Sequence, residues 1–566
     1  MSRILKEKYD EILSREEGFC KKLWGDALRV CLAYPNVYRT GMSNLGFQTI
    51  YGLINSIPGC LCERVFLPDR EDEAEFEREG AILLSLESQR PLTHFDIIAF
   101  SLPFENDYPN ILKMLSMSGI SLLSRGRKAR EPLILGGGVA VTLNPEPLAD
   151  FFDLFILGEG DEAIFQFLNT CREGLSAGIS REELLFSMQR NIEGSYVPRF
   201  YTVSYGNNHL IEKIEPVSDR LPRKIRKRTV SDINAFLTEQ RIVTGDTELG
   251  GMFVTEVSRG CRRGCRFCAA GFVFRPARFR ETELLKTSFL KALDAGRKIG
   301  LLGAAVSDHP ELLSLCRFIR EREGKLAIGS VRVDRITPEL LRLLREGGVK
   351  TISLAPEAGS SRLREMIRKG ITEEHIFRAV EMLTEAGIEN IRLYFMVGLP
   401  TEEDGDIEAI IDLTKKIRHH ANKYSQGQRS FKRITLSLNQ FIPKAATPFQ
   451  WHPLTDVNMV KKRIKRIDAA FRREANIRVI HDLPKWNYVQ ALLSLGDRRV
   501  SDILLSVHRH GGNWPQALKE VNINPDFHVY RQKGTAEILP WDFIDHGTSK
   551  SFLLGEYQES LRRVGR

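Results

Sequence analysis

The stretch VSRGCRRGCRFC, at residues 257–268, is the most restrictive pattern in this chain of 566 residues. It places Cys261, Cys265 and Cys268 in a C-x3-C-x2-C spacing, directly after the apolar, strand-like residues 252–255. A cubane iron–sulfur cluster needs four thiolates to saturate its irons, so three thiolates leave one iron open to another ligand. The spacing therefore predicts a [4Fe–4S] cluster at which chemistry can take place.

Two simpler explanations of the three cysteines are a zinc knuckle and three unrelated thiols. Zinc prefers four ligands in paired spacings, and no fourth Cys or His stands nearby at finger spacing. The remaining cysteines form no evident disulfide framework. The pair Cys60 and Cys62 is another candidate for metal binding, although two thiolates make a poor cluster site.

The cysteine motif resembles that of the radical S-adenosylmethionine (AdoMet) superfamily. In that family the amino and carboxylate groups of AdoMet chelate the open iron. Reduction of the cluster then cleaves the sulfonium to methionine and a 5′-deoxyadenosyl radical. Phe267, just before the third cysteine, also matches the family pattern, in which this aromatic residue lies near the adenine.

Residues 246–480 alternate strand-like and helix-like patterns after the cysteine motif. The predicted strands lie at 252–258, 298–302, 327–331, 350–354, 391–397 and 433–439. Six such units suit the partial (β/α)6 TIM-type barrel that the resemblance implies. Because sites in such barrels form at the carboxyl ends of the strands, the informative residues are expected there.

Four residues near these strand ends are the candidates for contact with AdoMet. The stretch around Glu357 resembles the family's G-x-E-S-G-S pattern, in which the glutamate accepts hydrogen bonds from AdoMet, and Gly398 begins a G-L-P-x-E turn. Ser330 ends the third strand. Gly303 stands where the family has G-G-E, but the carboxylate that holds the methionine amino group is absent here or displaced to Asp308.

Residues 1–175 predict a doubly wound parallel sheet, since apolar strands near 29–34, 96–101, 132–135 and 154–157 alternate with helical stretches. This segment resembles the cobalamin-binding-type Rossmann domain that precedes the radical core in one branch of the superfamily, with Ser101 and Gly136 among its small residues. The family's D-x-H-x-x-G motif is missing, because residues 34–46 contain no histidine. Cobalamin without a protein ligand, and a domain that has lost the cofactor, both remain open.

The other two segments are a connector at 176–245 and an α-rich extension at 481–566 that is expected to cover the barrel. The chain has a net charge of +9, with basic runs at 223–228, 415–433 and 461–473. Such surfaces bind nucleic acid in some proteins and are ordinary solvated surface in others, so RNA is one candidate substrate. No apolar run is long enough to span a membrane, and a cytoplasmic location is expected.

The sequence thus predicts a radical AdoMet enzyme with a [4Fe–4S] cluster, AdoMet and an unknown substrate. A small reductant protein such as flavodoxin or ferredoxin is the expected electron donor. Methyl transfer assisted by cobalamin and modification of RNA or the ribosome are both open. The alternatives are a methylthiotransferase-like enzyme, which needs a second cluster, and a non-catalytic iron–sulfur protein that acts in redox sensing or RNA binding.

Overall fold

The computed structural model describes residues 3–425 and 431–562. Before the cysteine motif, the helices are α1 (Arg3–Ser14), α2 (Tyr38–Met42), α3 (Leu45–Ser56), α4 (Arg70–Glu79), α5 (Tyr108–Met117), α6 (Val139–Leu143), α7 (Gly160–Ala177) and α8 (Arg181–Asn191). The strands of the same part are β1 (Leu28–Tyr34), β2 (Cys60–Phe66), β3 (Ile97–Ser101), β4 (Leu133–Gly137), β5 (Leu154–Ile156), β6 (Ser195–Tyr196), β7 (Tyr201–Tyr205), β8 (Ile211–Pro216) and β9 (Ile225–Arg226).

The first six strands form one sheet in the order β2-β1-β3-β4-β5-β6. Strands β1 to β5 run parallel and β6 is antiparallel to β5. The strand order reverses between β1 and β3, so helices cover both faces of the sheet. This confirms the predicted doubly wound domain, because parallel strands buried on both faces are recognisable as nearly continuous apolar runs.

The barrel consists of β10 (Phe253–Arg259), β11 (Arg278–Phe279), β12 (Ile299–Gly303), β13 (Leu326–Ile328), β14 (Thr351–Glu357), β15 (Asn390–Val397), β16 (Arg433–Gln440) and β17 (Ile477–His481). Its helices are α9 (Thr282–Asp294), α10 (Leu312–Glu321), α11 (Pro338–Glu346), α12 (Ser361–Met366), α13 (Glu373–Glu385), α14 (Asp404–Tyr424) and α15 (Val457–Phe471).

All six predicted barrel strands are present, as β10, β12, β13, β14, β15 and β16, and β17 adds another parallel strand beside β16. The strands form two ladders, β11-β10-β12-β13 and β14-β15-β16-β17. The ladders meet where Val331 N donates to the carbonyl of Ser353 at 3.3 Å. The partial barrel therefore follows the prediction, and its parallel strands end at one common edge.

The C-terminal part is helical, with α16 (Pro484–Leu495), α17 (Val500–Arg509), α18 (Trp514–Glu520), α19 (Asp526–Val529) and α20 (Lys550–Arg562). A short strand, β18 (Ile544–Asp545), pairs in parallel with β9 in the basic run at 223–228. Within the described ranges, no helix is long and apolar enough to cross a membrane.

Two hydrophobic cores explain how these parts are joined. One fills the barrel between its strands and outer helices. The other is continuous from the N-terminal sheet to the C-terminal helices and includes Phe272, Met396 and Phe441 near the carboxyl ends of the barrel strands. The N-terminal domain and the C-terminal helices therefore both close over the edge of the barrel where the site is expected.

Candidate active site at the barrel mouth

The cysteine loop begins at Gly260, where β10 has just ended. Gly260 has a φ of 77°, and a Cβ atom there would lie 1.9 Å from the carbonyl oxygen of Phe274. A Cβ on Gly271 would lie 2.6 Å from the carbonyl oxygen of Arg263. These two close backbone approaches require glycine, and they fold residues 260–274 into a compact loop.

The three predicted ligands lie together in this loop. Cys265 is buried, and Cys261 and Cys268 are half-buried. Burial, together with the nearby thiols of Cys265 and Cys261, raises the pKa of Cys268 to about 11. Burial also raises the pKa of Cys265, although Lys369 and Arg332 act in the opposite direction. A bound metal group is the usual means of holding such closely spaced thiols as thiolates.

Backbone donors already point at the sulfur atoms. The amide of Arg263 donates to the Cys261 Sγ at 3.4 Å, and the amides of Ala270 and Gly271 bond to Cys268. Hydrogen bonds to sulfur are one of the means by which proteins tune an iron–sulfur cluster. The loop thus provides the thiols and the amide donors that a cluster requires.

The grouping of possible ligand side chains differs between a single metal ion and a cluster. In the part of the chain that the structure describes, no group of three or more His, Cys, Asp or Glu side chains is arranged to hold one ion. A zinc ion needs its ligands around one point. A cubane binds each thiolate through a different iron, so its ligands need not converge in this way.

Lys369 connects three of the residues singled out in the sequence. Its Nζ donates to Glu357 Oε1 at 2.9 Å and lies 5.9 Å from the centre of the Phe267 ring, and its charge opposes the burial that raises the pKa of Cys265. The structure therefore brings Cys265, Phe267 and Glu357 together. Sequence reasoning missed Lys369, which follows α12 and belongs to none of the quoted motifs.

Glu357 has an unusual backbone. The residue ends β14 with a φ of 69°, and the pairing of β14 with β15 shifts register between Leu354 and Glu357. A non-glycine residue in the left-handed region is uncommon and tends to occur at functional sites. The irregularity turns the Glu357 carboxylate towards Lys369.

The remaining candidates have surroundings of their own. Gly398 is buried with a φ of 86°, and its amide donates to Glu402 Oε2 at 2.7 Å. The positive φ of this turn and the nearby side chain of Thr455 both explain why the residue at this position is glycine. Ser330 is exposed and lies two residues beyond the end of β13. Gly303, the last residue of β12, is exposed and lies against Ser258.

Asp308, the expected replacement for the missing carboxylate, has other partners. Its two oxygens accept from Arg263 Nε at 3.0 Å and Arg263 Nη2 at 2.8 Å, and Arg335 Nε lies 3.4 Å away. These guanidinium groups hold the pKa of Asp308 below its usual range although partial burial opposes them. In this structure Asp308 therefore supports the cysteine loop through Arg263.

A chamber of about 570 Å³ lies between the N-terminal sheet and the barrel. The sheet side includes the carboxyl ends of β1, β3, β4 and β5, where the strand order reverses, and the barrel side includes the ends of β10 and β12. The wall is largely apolar and includes Ser101 and Gly136–Gly138 from the predicted small residues; its described lining contains no histidine. Ligands of doubly wound sheets bind at this kind of reversal.

Two features of the wall indicate a ligand site. The Ser258 hydroxyl is buried in the chamber wall and has no hydrogen-bond partner among the described residues. A buried hydroxyl without a partner is costly, so a ligand group that reaches it would be favoured. A Cβ on Gly137 would meet nothing closer than the Ile156 carbonyl oxygen at 3.8 Å, so the space beside Gly137 is open. Gly136 is different, because a Cβ there would collide with Phe155.

Arg259 joins the two domains beside this chamber. It contacts both oxygens of Asp161, at 2.8 and 3.1 Å, and its Nη2 lies 2.9 Å from Glu256 Oε2. Asp161 is in the first turn of α7, whereas Arg259 is the last residue before the cysteine loop. The N-terminal domain is thereby fixed directly to the start of the loop.

Two protein-family models match this chain. The family model for the N-terminal region of radical SAM proteins matches residues 46–198, and the model of the radical SAM superfamily matches residues 255–414, which include all three cysteines. The chain belongs to the radical SAM superfamily. Members of this superfamily use a [4Fe–4S] cluster and AdoMet, and the protein is accordingly a radical AdoMet enzyme.

Several relatives are similar over much of the chain. An uncharacterised protein of Methanocaldococcus jannaschii is 29% identical over 84% of this chain and 90% of its own length. A threonylcarbamoyladenosine tRNA methylthiotransferase of Aquifex aeolicus is 23% identical over 54% of this chain and 74% of its own length. A probable dual-specificity RNA methyltransferase of Streptococcus suis is 23% identical over 42% of this chain and 73% of its own length.

Among solved structures, the cobalamin-dependent radical enzyme OxsB with aqua-cobalamin and AdoMet bound is similar at a TM-score of 0.47. The similarity covers 95% of this chain and 80% of OxsB, with 14% sequence identity.

Proposed function

We propose that Cys261, Cys265 and Cys268 hold the [4Fe–4S] cluster and that Phe267, Glu357 and Lys369 border the AdoMet bound to it. The observation that supports this most strongly is the position of Lys369, which contacts Glu357, lies over Phe267 and acts electrostatically on Cys265. Cluster and AdoMet together supply the 5′-deoxyadenosyl radical. The chain supplies binding, orientation and a dry site.

The surrounding residues have three roles in this proposal. Glu357 accepts hydrogen bonds from AdoMet in place of, or beside, the one from Lys369. Gly303 and Ser330 lie at or beyond strand ends where their backbone is accessible to AdoMet, and Gly398 keeps the next turn tight. The N-terminal domain and the C-terminal helices exclude water, which strengthens the electrostatic contacts at the site.

Cofactor content tests the ligand assignment. After anaerobic reconstitution we expect about four irons per chain, and a change in the electron paramagnetic resonance spectrum of the reduced protein when AdoMet is added. Cys265→Ala should lose both. Cys316→Ala, which removes a buried cysteine of α10, is the matched control and should keep both. Full iron content in Cys265→Ala would contradict the assignment.

The same experiment separates the methylthiotransferase alternative, which requires about eight irons. Cys31 lies in β1, and Cys60 and Cys62 lie in β2, all buried in the N-terminal sheet. Positions of this kind serve as small core residues. We therefore expect four irons, and eight would favour the alternative. A small electron-transfer protein such as flavodoxin or ferredoxin is the proposed reductant.

We further propose that the chamber between the domains binds cobalamin without a protein ligand to cobalt. The apolar walls, the open side of Gly137 and the unpartnered Ser258 hydroxyl support this, together with the position of the chamber beside the cysteine loop. Bound cobalamin would supply a methyl group for transfer to substrate carbon. The lining residues would hold the corrin by shape and apolar contact, because no histidine is among them.

Gly137→Leu tests the chamber, since the added side chain can enter the open space without a backbone clash. We expect the wild-type protein to bind hydroxocobalamin with cobalt near one per chain, and Gly137→Leu to lose cobalt while it keeps iron. Gly126→Leu is the control, because a Cβ at Gly126 meets nothing within 4 Å and this residue lies outside the chamber. Equal cobalt in all three proteins, or none in any of them, would contradict cobalamin binding.

RNA is the substrate that a second observation favours. Two of the relatives above are named as enzymes of RNA, and α15 presents a basic face. Ile464, Ile467 and Phe471 are buried, whereas Lys461, Lys462 and Lys465 are exposed. A face of this kind can contact a phosphate backbone.

A triple substitution of Lys461, Lys462 and Lys465 by Gln tests this candidate. If α15 contacts RNA, the affinity for total tRNA should fall at least tenfold. The slope of log affinity against log salt concentration should become shallower by about three at most, because up to three fewer counterions are released on binding. Lys291, Lys325 and Lys350 are exposed, lie outside α15 and provide a control triple of equal charge. Equal tRNA binding by both triples would remove the support that α15 gives to RNA.

A further inference from the structure

The side chain of Glu556, on the C-terminal helix α20, contacts the cysteine loop. Glu556 Oε2 accepts from Arg266 Nε at 2.9 Å, and Glu556 Oε1 accepts from Arg368 Nη1 at 2.6 Å. Arg266 lies inside the loop, between Cys265 and Cys268. Arg368 lies directly before Lys369. One carboxylate thus bridges the proposed cluster ligands and the proposed AdoMet pocket.

Arg266 is held in one position by burial and by hydrogen bonds. Its side chain is 2% exposed, its amide donates to the Ile367 carbonyl at 3.0 Å, and its Nη1 donates to the Met366 carbonyl at 2.8 Å. The loop is therefore attached to the end of α12 by backbone and side chain together. Glu556 places a negative charge beside this buried guanidinium.

Arg368 lies in the turn after α12 and packs against the cysteine loop. Arg368 has a φ of 55°, and its Nη1 would lie 3.5 Å from a Cβ on Gly264, so the guanidinium packs against the cysteine loop. Arg266 and Arg368 have like charges and are close together. A shared carboxylate relieves their repulsion and keeps the turn that presents Lys369 to Glu357.

Helix α20 is itself firmly anchored. Leu553, Tyr557 and Ser560 are buried on the face that also presents Glu556, and the Tyr557 ring lies 5.7 Å from the Trp451 ring, in the segment that follows β16. Just before the helix, Thr548 Oγ1 donates to the Phe272 carbonyl at 3.0 Å. The C-terminal segment therefore contacts the cysteine loop at its middle, through Arg266, and near its end, at Phe272.

From these contacts we infer that Glu556 is a positioning residue that fixes the cysteine loop and the Lys369 turn relative to each other. The inference depends on the proposed function, since it assumes that the three cysteines hold the cluster. Sequence reasoning assigned residues 481–566 only to covering the barrel. The contacts give this extension a second role, in the geometry and charge of the cofactor site.

The experiment compares Glu556→Ala and Glu556→Gln with the wild-type protein after anaerobic reconstitution. We expect a chelator to remove iron about tenfold faster from Glu556→Ala, because opening of the loop precedes iron loss. Glu556→Gln has nearly the same shape without the charge, so it should lose iron at an intermediate rate. Its cluster should be reduced at a more positive potential, since a nearby negative charge has been removed.

Two controls separate the charge from general effects of substitution. Gln558→Ala changes an exposed residue of α20, and Glu374→Gln removes an exposed carboxylate from α13. Both should retain wild-type iron release and potential. An unchanged potential in Glu556→Gln would show that the Glu556 charge does not act on the cluster site, and that result would overturn the inference.

Amide hydrogen exchange of the apo protein provides a readout that needs no cluster. Glu556→Ala should raise exchange in residues 261–272 while Gln558→Ala does not. If both Glu556 variants match the wild type in exchange and iron release, the inference fails while the proposed function stands. If the wild-type protein takes up no iron, the proposed function fails, and the inference about the cluster fails with it.

Discussion

At the level of single residues, Gly260 is the position where the cysteine loop depends most on backbone freedom. Its φ of 77° and the 1.9 Å approach of the Phe274 carbonyl to an added Cβ leave no room for a side chain. We expect Gly260→Ala to lose most of its iron. Its free energy of unfolding should fall by more than the roughly 1–2 kcal/mol of left-handed strain alone. Iron analysis and urea unfolding measure the two effects.

Gly296→Ala is the control for strain without collision. Gly296 has a φ of 65°, and a Cβ there meets nothing within 4 Å. It should lose only the roughly 1–2 kcal/mol of strain and keep its iron. Equal behaviour of the two alanine variants would show that the Phe274 contact does not shape the loop.

Glu357 provides a test of the AdoMet pocket. Glu357→Gln removes the charge that pairs with Lys369 at 2.9 Å and weakens an acceptor for AdoMet. A hydrogen bond to a charged group is worth about 1.5–3 kcal/mol, so the dissociation constant of AdoMet should rise at least about tenfold. Equilibrium dialysis with the reconstituted protein measures it. Glu365→Gln removes an exposed carboxylate nearby; if it weakens binding equally, Glu357 has no special role.

Whether a site residue can be predicted from the sequence depends on how far along the chain it lies from the other residues of the site. Cys261, Cys265 and Cys268 lie within one loop, so their spacing alone indicates a cluster. Lys369 and Glu556 reach the same loop from distant segments and no local pattern marks them. Asp308 was near enough in sequence to be named, but its pairing with Arg263 is a tertiary contact.

At the level of elements, the contact between β10 and α7 joins the domains. Asp161→Asn should leave Arg259 with a weakened partner at a site where both side chains are mostly buried. Loss of one partner from a buried pair costs about 3–5 kcal/mol, and the neighbouring Glu256 and Glu159 should reduce the loss towards 2 kcal/mol. Urea unfolding monitors the change, and residues 257–268 should exchange amide hydrogens faster.

Glu162→Gln is the control from the same turn of α7. Glu162 pairs with Arg228, and its side chain is 32% exposed. A partly exposed pair contributes up to about 1 kcal/mol. Asp161→Asn should therefore be clearly more destabilising than Glu162→Gln, and the reverse order would contradict the assigned importance of the Arg259 contact.

Strands β2 and β17 were not predicted from the sequence, and their residue patterns explain why. Strand β2 contains Glu63 and Arg64, which interrupt its apolar pattern, yet Arg64 is fully buried because Glu16 and Glu87 pair with it. Strand β17 is an edge strand in which every residue after Ile477 is exposed or half-buried. The strands β1, β3, β4 and β5 were recognisable because burial on both faces selects apolar residues throughout.

At the level of the whole molecule, two buried histidines and one half-buried histidine make stability depend on pH. Burial lowers the pKa of His452, His528 and His546 to about 4 in each case. The unfolded chain binds a proton at each near pH 6.5, so their contribution is complete above that pH and is lost as the pH falls towards 4. Each histidine should add about 1.4 kcal/mol per pH unit to the slope in this window.

His546→Gln tests whether the free energy of unfolding falls as the pH drops because this histidine is protonated in the unfolded chain. The amide can still donate to the Thr142 carbonyl, which His546 contacts at 2.8 Å, but it does not titrate. Urea unfolding between pH 4.5 and 6.5 should show a slope smaller by about one proton. His419→Gln replaces an exposed histidine and should leave the slope unchanged; an unchanged slope in His546→Gln would contradict the assignment.

The most direct test of the whole account is the fate of AdoMet on reduction. The reconstituted protein is mixed with AdoMet and dithionite under anaerobic conditions, and the products are quantified by chromatography. The account predicts 5′-deoxyadenosine and methionine in equal amounts from the wild-type protein and neither above background from Cys265→Ala. Wild-type protein that holds its iron and still forms no more 5′-deoxyadenosine than Cys265→Ala would contradict it.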